Sequence, residues 1–108
     1  MFDLNAVQSA LGSFGIDGWL LYDFRGLNLL ARRVLGLPGD AMLSRRWFYF
    51  VPAKGEPRKL VHRIETHALD LVPGTRQVYL RWQELEAGVA GLLAGSRRVA
   101  MEIGRAHV

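Results

Sequence analysis

Gly18-Trp-Leu-Leu-Tyr-Asp-Phe-Arg-Gly-Leu-Asn28 decides how the chain folds. Its first part, Trp19 to Tyr22, is a short unbroken apolar run, the pattern of a strand covered on both faces and therefore of a central place in a sheet. The groups that follow, Tyr22, Asp23, Arg25 and Asn28, gather polarity at the carboxyl end of that strand, where α/β sheets commonly build ligand sites. Two local roles compete with a ligand there: Asp23 pairing with Arg25, or capping of the next helix.

Upstream, Leu4, Val7, Ala10, Leu11 and Phe14 recur at three- and four-residue steps and predict a helix, with Asp3 as its cap and Gly15 as its end. Downstream, Leu27, Leu30, Ala31, Val34 and Leu35 return to helical spacing, with Arg32 and Arg33 facing out and Gly36 as terminator. A turn is expected at Pro38, Gly39 and Asp40. The aromatic stretch Arg46 to Val51 and the run Lys59 to His62, joined through Pro52, Lys54, Gly55 and Pro57, predict an antiparallel hairpin. Thr66 to Val72 predicts a short helix stopped by Pro73 and Gly74, and Gln77 to Leu80 another strand. Leu85, Val89, Leu92 and Leu93 mark a further helix, and Arg98 to Met101 begin a last strand. Such alternation indicates an α/β fold, a mixed β-sheet flanked by helices.

A chain of 108 residues suits one domain, and its half-apolar composition with 22% charged residues opposes disorder. The absence of cysteine excludes disulfides and thiolate chemistry and agrees with a cytoplasmic location. Met1 to Gln8 has no basic residue of the kind that opens a secretory signal, and no apolar run approaches the ~18 residues of a membrane span. The net charge of +4 invites a nucleic-acid reading, but the arginine pairs Arg32-Arg33, Arg45-Arg46 and Arg97-Arg98 are scattered and interleaved with acids. A solvated basic surface is the expectation, with no nucleic acid and no membrane as partner.

Catalytic motifs are missing. His62, Glu65 and His67 resemble a zinc-protease helix only superficially, because that site needs its histidines four apart on one helical face. The serines lie in no nucleophile elbow, and the glycines lie in no phosphate loop. Trp19, Trp47 and Trp82 are expected to pack in the core.

The run Gly18 to Asn28, followed by Leu35-Gly36-Leu37, resembles the first strand and helix of the creatinase/prolidase N-terminal domain. Trp47 to Val51 with Pro52, Gly55 and Glu56 looks like that family's second hairpin, His62 to Ala68 its short connection, and Val99 to Glu102 its last strand. The resemblance implies a three-layer α/β domain over residues 1–102 that precedes a larger catalytic domain of a Xaa-Pro aminopeptidase or dipeptidase. It further implies a homodimer, a proline-containing peptide substrate, and two divalent metal ions, manganese or cobalt, held in the missing catalytic domain. No catalytic residue, metal ligand or cofactor is carried onto this chain. Its expected role is to shape substrate access and oligomer contacts, with Tyr22, Asp23, Arg25, Asn28, His62 and Arg63 as the candidate substrate-binding or interface residues. Ile103 to Val108 reads like the translation of a sequencing adapter and is expected to be an artefactual tail. The competing expectation is a stand-alone module of the same fold that binds peptides or proteins.

Overall fold

Alternate residues of the interior strands bury to opposite sides, and this period of two places helices on both faces of one sheet. A computed structural model describes residues 2–37 and 44–102. The elements are α1 (Leu4–Ser13), β1 (Gly18–Asp23), α2 (Leu29–Leu35), β2 (Trp47–Pro52), β3 (Arg58–His62), a 3-10 turn (Arg63–Glu65), β4 (Thr75–Tyr79), α3 (Trp82–Leu93) and β5 (Val99–Glu102). The turn expected at Pro38 to Asp40 and the tail from Ile103 lie outside the described residues.

The five strands form a single mixed sheet in the order β4-β3-β2-β1-β5. β2 pairs antiparallel with β1 and β3, whereas β3–β4 and β1–β5 are parallel. β1 is therefore interior, as its apolar run predicts, although the middle place belongs to β2. Leu21, Trp47, Tyr49, Val51 and Val61 turn one way and pack with Leu11 of α1 and with Ala31 and Leu35 of α2. Leu20, Phe50, Leu60 and Tyr79 turn the other way and pack with Leu85 and Leu92 of α3. Two apolar layers thus sandwich the sheet, which is the three-layer α/β arrangement expected.

Asp3 caps α1 by accepting from the Ala6 amide, and Gly36 ends α2 in the left-handed conformation, both as the sequence indicates. Several boundaries differ: β4 runs from Thr75 to Tyr79 rather than from Gln77 to Leu80, and β2 and β5 each lie one residue later than expected. α2 begins at Leu29 rather than Leu27, because the Asn28 side chain accepts from the Ala31 amide and fixes the start there. The expected helix from Thr66 to Val72 is a set of three-residue turns: Ala68 N–H donates to Glu65, Asp70 to His67 and Val72 to Leu69. Ala68, Leu69 and Val72 bury as their spacing demands, but residues 63–74 must also carry the chain between two adjacent parallel strands, a crossover that takes about a dozen residues. Finally, α3 starts at Trp82, where the Glu84 carboxylate accepts from the Leu80 and Arg81 amides. Trp82 sits on this first turn, away from the buried stripe of Leu85, Gly88 and Leu92, and is 60% exposed. It is not the core residue expected, whereas Trp47 is fully buried and Trp19 partly so.

Among the described residues no helix is long and apolar enough to cross a membrane.

Candidate functional site

The carboxyl ends of β1, β3 and β4 and the entry to β2 lie at one end of the sheet, since β2 alone runs the other way. The segment after β1 is shaped from below by Asp23, which is completely buried. Its Oδ2 accepts from the Gly26 amide at 2.9 Å and its Oδ1 from the Asn28 amide at 2.7 Å. Asp23 thus spends its carboxylate on the backbone, and among the described residues it forms no ion pair with Arg25. The cap of α2 is Asn28, also buried, whose Nδ2 donates to the Tyr22 carbonyl at 2.7 Å and to the Glu102 carbonyl at 3.2 Å. These two side chains tie β1, α2 and the end of β5 together.

The tight loop held by Asp23 places Arg25 at φ 60°, a left-handed conformation unusual for a residue with a Cβ. Its guanidinium lies 5.0 Å from the centre of the Phe24 ring. Arg46 reaches the same ring from the entry to β2, at 4.1 Å, and lies 5.8 Å from the Trp82 ring. Its Nε donates to the Tyr22 hydroxyl at 3.1 Å, and its carbonyl accepts from the Tyr79 hydroxyl at 2.6 Å. Apart from Tyr22, these groups, with Ser44, Arg45, His62 and Leu80, bound a cleft of about 250 Å³.

His62 meets the edge of the Tyr79 ring at 5.1 Å, and its Nδ1 accepts from the Ile64 amide. Burial, followed by the Arg45 guanidinium, pushes its pKa below the ordinary value. Burial raises that of Tyr79. Burial alone would raise Glu65, but hydrogen bonds from the Ser44 amide and hydroxyl and from the Arg45 amide outweigh it and hold the carboxyl below its usual range.

Of the six residues singled out in the sequence, Arg25 and His62 line the cleft directly. Tyr22 supports it through Arg46, while Asp23 and Asn28 lie beneath it as scaffolding. Arg63 faces a neighbouring groove with Arg81 and Glu84. Phe24 lies within the segment singled out after β1, but sequence reasoning missed Arg46, Tyr79 and Trp82. The arginine pair at 45–46 was the available signal, but nothing local shows that it meets Phe24, Tyr79 and Trp82.

Among the described residues no group of three or more His, Asp or Glu side chains converges as a metal site would require. The described residues do not fit a dinuclear centre.

The fold is that of creatinase/prolidase N-terminal domains. It is similar to that domain of an X-Pro dipeptidase from Streptococcus pyogenes, with TM-score 0.65 and 15% identity over 91% of this chain and 73% of that one. The N-terminal domain of the Xaa-Pro dipeptidase from Lactobacillus brevis gives TM-score 0.64 and 15% identity, covering 92% of this chain and 75% of that one. Against the prolidase from Pyrococcus horikoshii the TM-score is 0.58 at 11% identity, with 91% of this chain but 25% of that chain covered. No family model and no curated protein matches the sequence.

Proposed function

We propose that this chain serves as the N-terminal domain of a metal-dependent X-Pro peptidase, shaping access to a catalytic domain that it does not itself contain. The observation that carries this reading is the likeness over nine-tenths of the chain to N-terminal domains of X-Pro dipeptidases, together with its coverage of only a quarter of the prolidase chain. A second feature supports it. Leu27, Leu29 and Leu30 are 60%, 68% and 51% exposed at the end of the sheet where β5 reaches Glu102, and adjacent exposed leucines suit a surface that another domain covers.

In this reading the substrate is a proline-containing peptide, and the two divalent metal ions belong to the catalytic domain. The protein is a cytoplasmic homodimer in which the cleft end of this domain faces the route by which peptides enter. Arg25, His62 and Arg63 then act as contact residues, and Tyr22, Asp23 and Asn28 position them.

The test compares peptidase activity of the 108-residue chain with that of a protein in which residues 1–102 are joined to the catalytic half of an X-Pro dipeptidase, both with added manganese. The chain alone is expected to leave an X-Pro dipeptide intact, while the joined protein cleaves it and stops when a chelator is added. A folded joined protein that cleaves no X-Pro bond overturns the reading, as does chelator-sensitive cleavage by the 108-residue chain alone.

A further inference from the structure

Three cationic side chains, Arg25, Arg45 and Arg46, border one cleft, yet no carboxylate of the described residues lies within ion-pair distance of any of them. The two nearby acids are already committed. Glu65 accepts from Ser44 and from the Arg45 amide, and Glu84 accepts from the amides of Leu80 and Arg81. Glu65 lies close enough to Arg45 for its carboxyl to be held down by that guanidinium, but it offsets only one of three cations, and like charges gathered at one cleft repel one another.

The arginines are also held in position. Phe24 carries both the Arg25 and the Arg46 guanidinium against its ring, and the Tyr22 hydroxyl fixes Arg46 through Nε, which leaves the terminal amino groups of Arg46 as donors. Arg25 is kept at a backbone angle that glycine or asparagine adopts more readily, by an amide network that the buried Asp23 organises. Strain at a surface position, maintained by a buried group beneath it, is a common mark of a site that must present a side chain. Trp82, Phe24 and Tyr79 supply apolar wall to the same space.

We infer that this cleft binds a small organic anion, a carboxylate or phosphate carried on an apolar body, with Arg25, Arg45 and Arg46 as its oxyanion donors. Guanidinium groups suit both oxyanions because their paired N–H donors match two oxygens at once. The volume of about 250 Å³ is just under that of pockets for drug-sized ligands, which restricts the site to a single acidic group and a small body. The inference is independent of the peptidase reading, because it needs only this chain.

The experiment is an amide and indole NMR titration of the 108-residue chain with benzoate, with inorganic phosphate, and with neutral benzamide as control. Benzoate or phosphate is expected to shift Phe24, Arg25, Arg45, Arg46, His62 and the Trp82 indole, and the shifts should weaken with added salt. Response to benzoate alone identifies a carboxylate site, and response to phosphate alone a phosphate site. Arg45→Ala is expected to weaken binding roughly tenfold, the scale of one charge-assisted hydrogen bond. Arg25→Gly separates binding from folding: it relieves the backbone strain, so the unfolding midpoint is kept or raised while binding falls. No shift with either anion, equal shifts with benzamide, or unchanged binding in Arg25→Gly overturns the inference.

Discussion

Asp23 carries more of the local structure than its position in the sequence suggests. Replacing it with alanine strands the buried amide of Asn28 and the amide of Gly26 without an acceptor, and each such loss costs about 1–3 kcal/mol. Asp23→Ala is therefore expected to lower unfolding stability by about 3 kcal/mol in urea titration, a large share of a small domain's total. Asp17 acts at the opposite end of β1, where its Oδ2 accepts from the Arg97 and Arg98 amides and joins the start of β5 to the loop before β1. Those bonds, that to Arg98 first, hold its pKa below the usual value. A depressed folded value means that the stabilisation is complete above the unfolded carboxyl pKa of ~3.9 and is lost as pH falls through the folded value. The expected outcome is a shallower acid limb of stability in Asp17→Asn than in the parent, measured by thermal unfolding from pH 6 to pH 2. Asp3 was legible as a cap because its role is complete within four residues. The anchoring of Asn28 to Glu102 was not, because it joins residues 74 positions apart.

At the scale of elements, α3 offers a paired test of packing against propensity. Gly88 faces Leu60, and a Cβ there would come within 2.8 Å of both Leu60 methyl carbons. Leu60 is fully buried in the layer beneath α3 and has little room to yield. Alanine gains ~1 kcal/mol over glycine in a helix, whereas overpacking a core costs ~1–3 kcal/mol, so Gly88→Ala is expected to destabilise by about 1 kcal/mol. Gly91 lies on the same helix with nothing within 4 Å of its would-be Cβ, and Gly91→Ala is expected to stabilise by about 0.5 kcal/mol. Chemical denaturation of both variants checks the opposite signs. α1, β1 and the β2–β3 hairpin were readable because each is specified by a local period or by a turn between neighbours. The turns from Thr66 to Val72 were misread as a helix because burial of Ala68, Leu69 and Val72 sets a spacing that either structure satisfies. What decided between them was the parallel pairing of β3 with β4, which no local pattern encodes.

For the molecule as a whole, arginines that look dispersed along the chain become neighbours in space. Arg25, Arg45 and Arg46 belong to the exit of β1 and the entry of β2, and the reversed direction of β2 brings them to one end of the sheet. Their scatter and interleaving with acids led to the expectation of a solvated basic surface, whereas these three share one cleft. The layers were thus legible in the sequence, and the cleft was not. The same end of the fold exposes Leu27, Leu29 and Leu30. Leu29→Ser with Leu30→Ser is expected to change stability by no more than ~0.5 kcal/mol, the usual range for surface sites, while reducing self-association of the isolated chain in sedimentation velocity. Equal sedimentation of parent and variant would detach these leucines from any contact role. The side-chain amide of Asn28 grips β1 and β5 at once and caps α2 with its oxygen. A displacement of Glu102 is therefore felt by the floor under Phe24 and Arg25 along two routes, the β1–β5 ladder and the amide of one asparagine, which gives the edge strand a mechanical handle on the cleft.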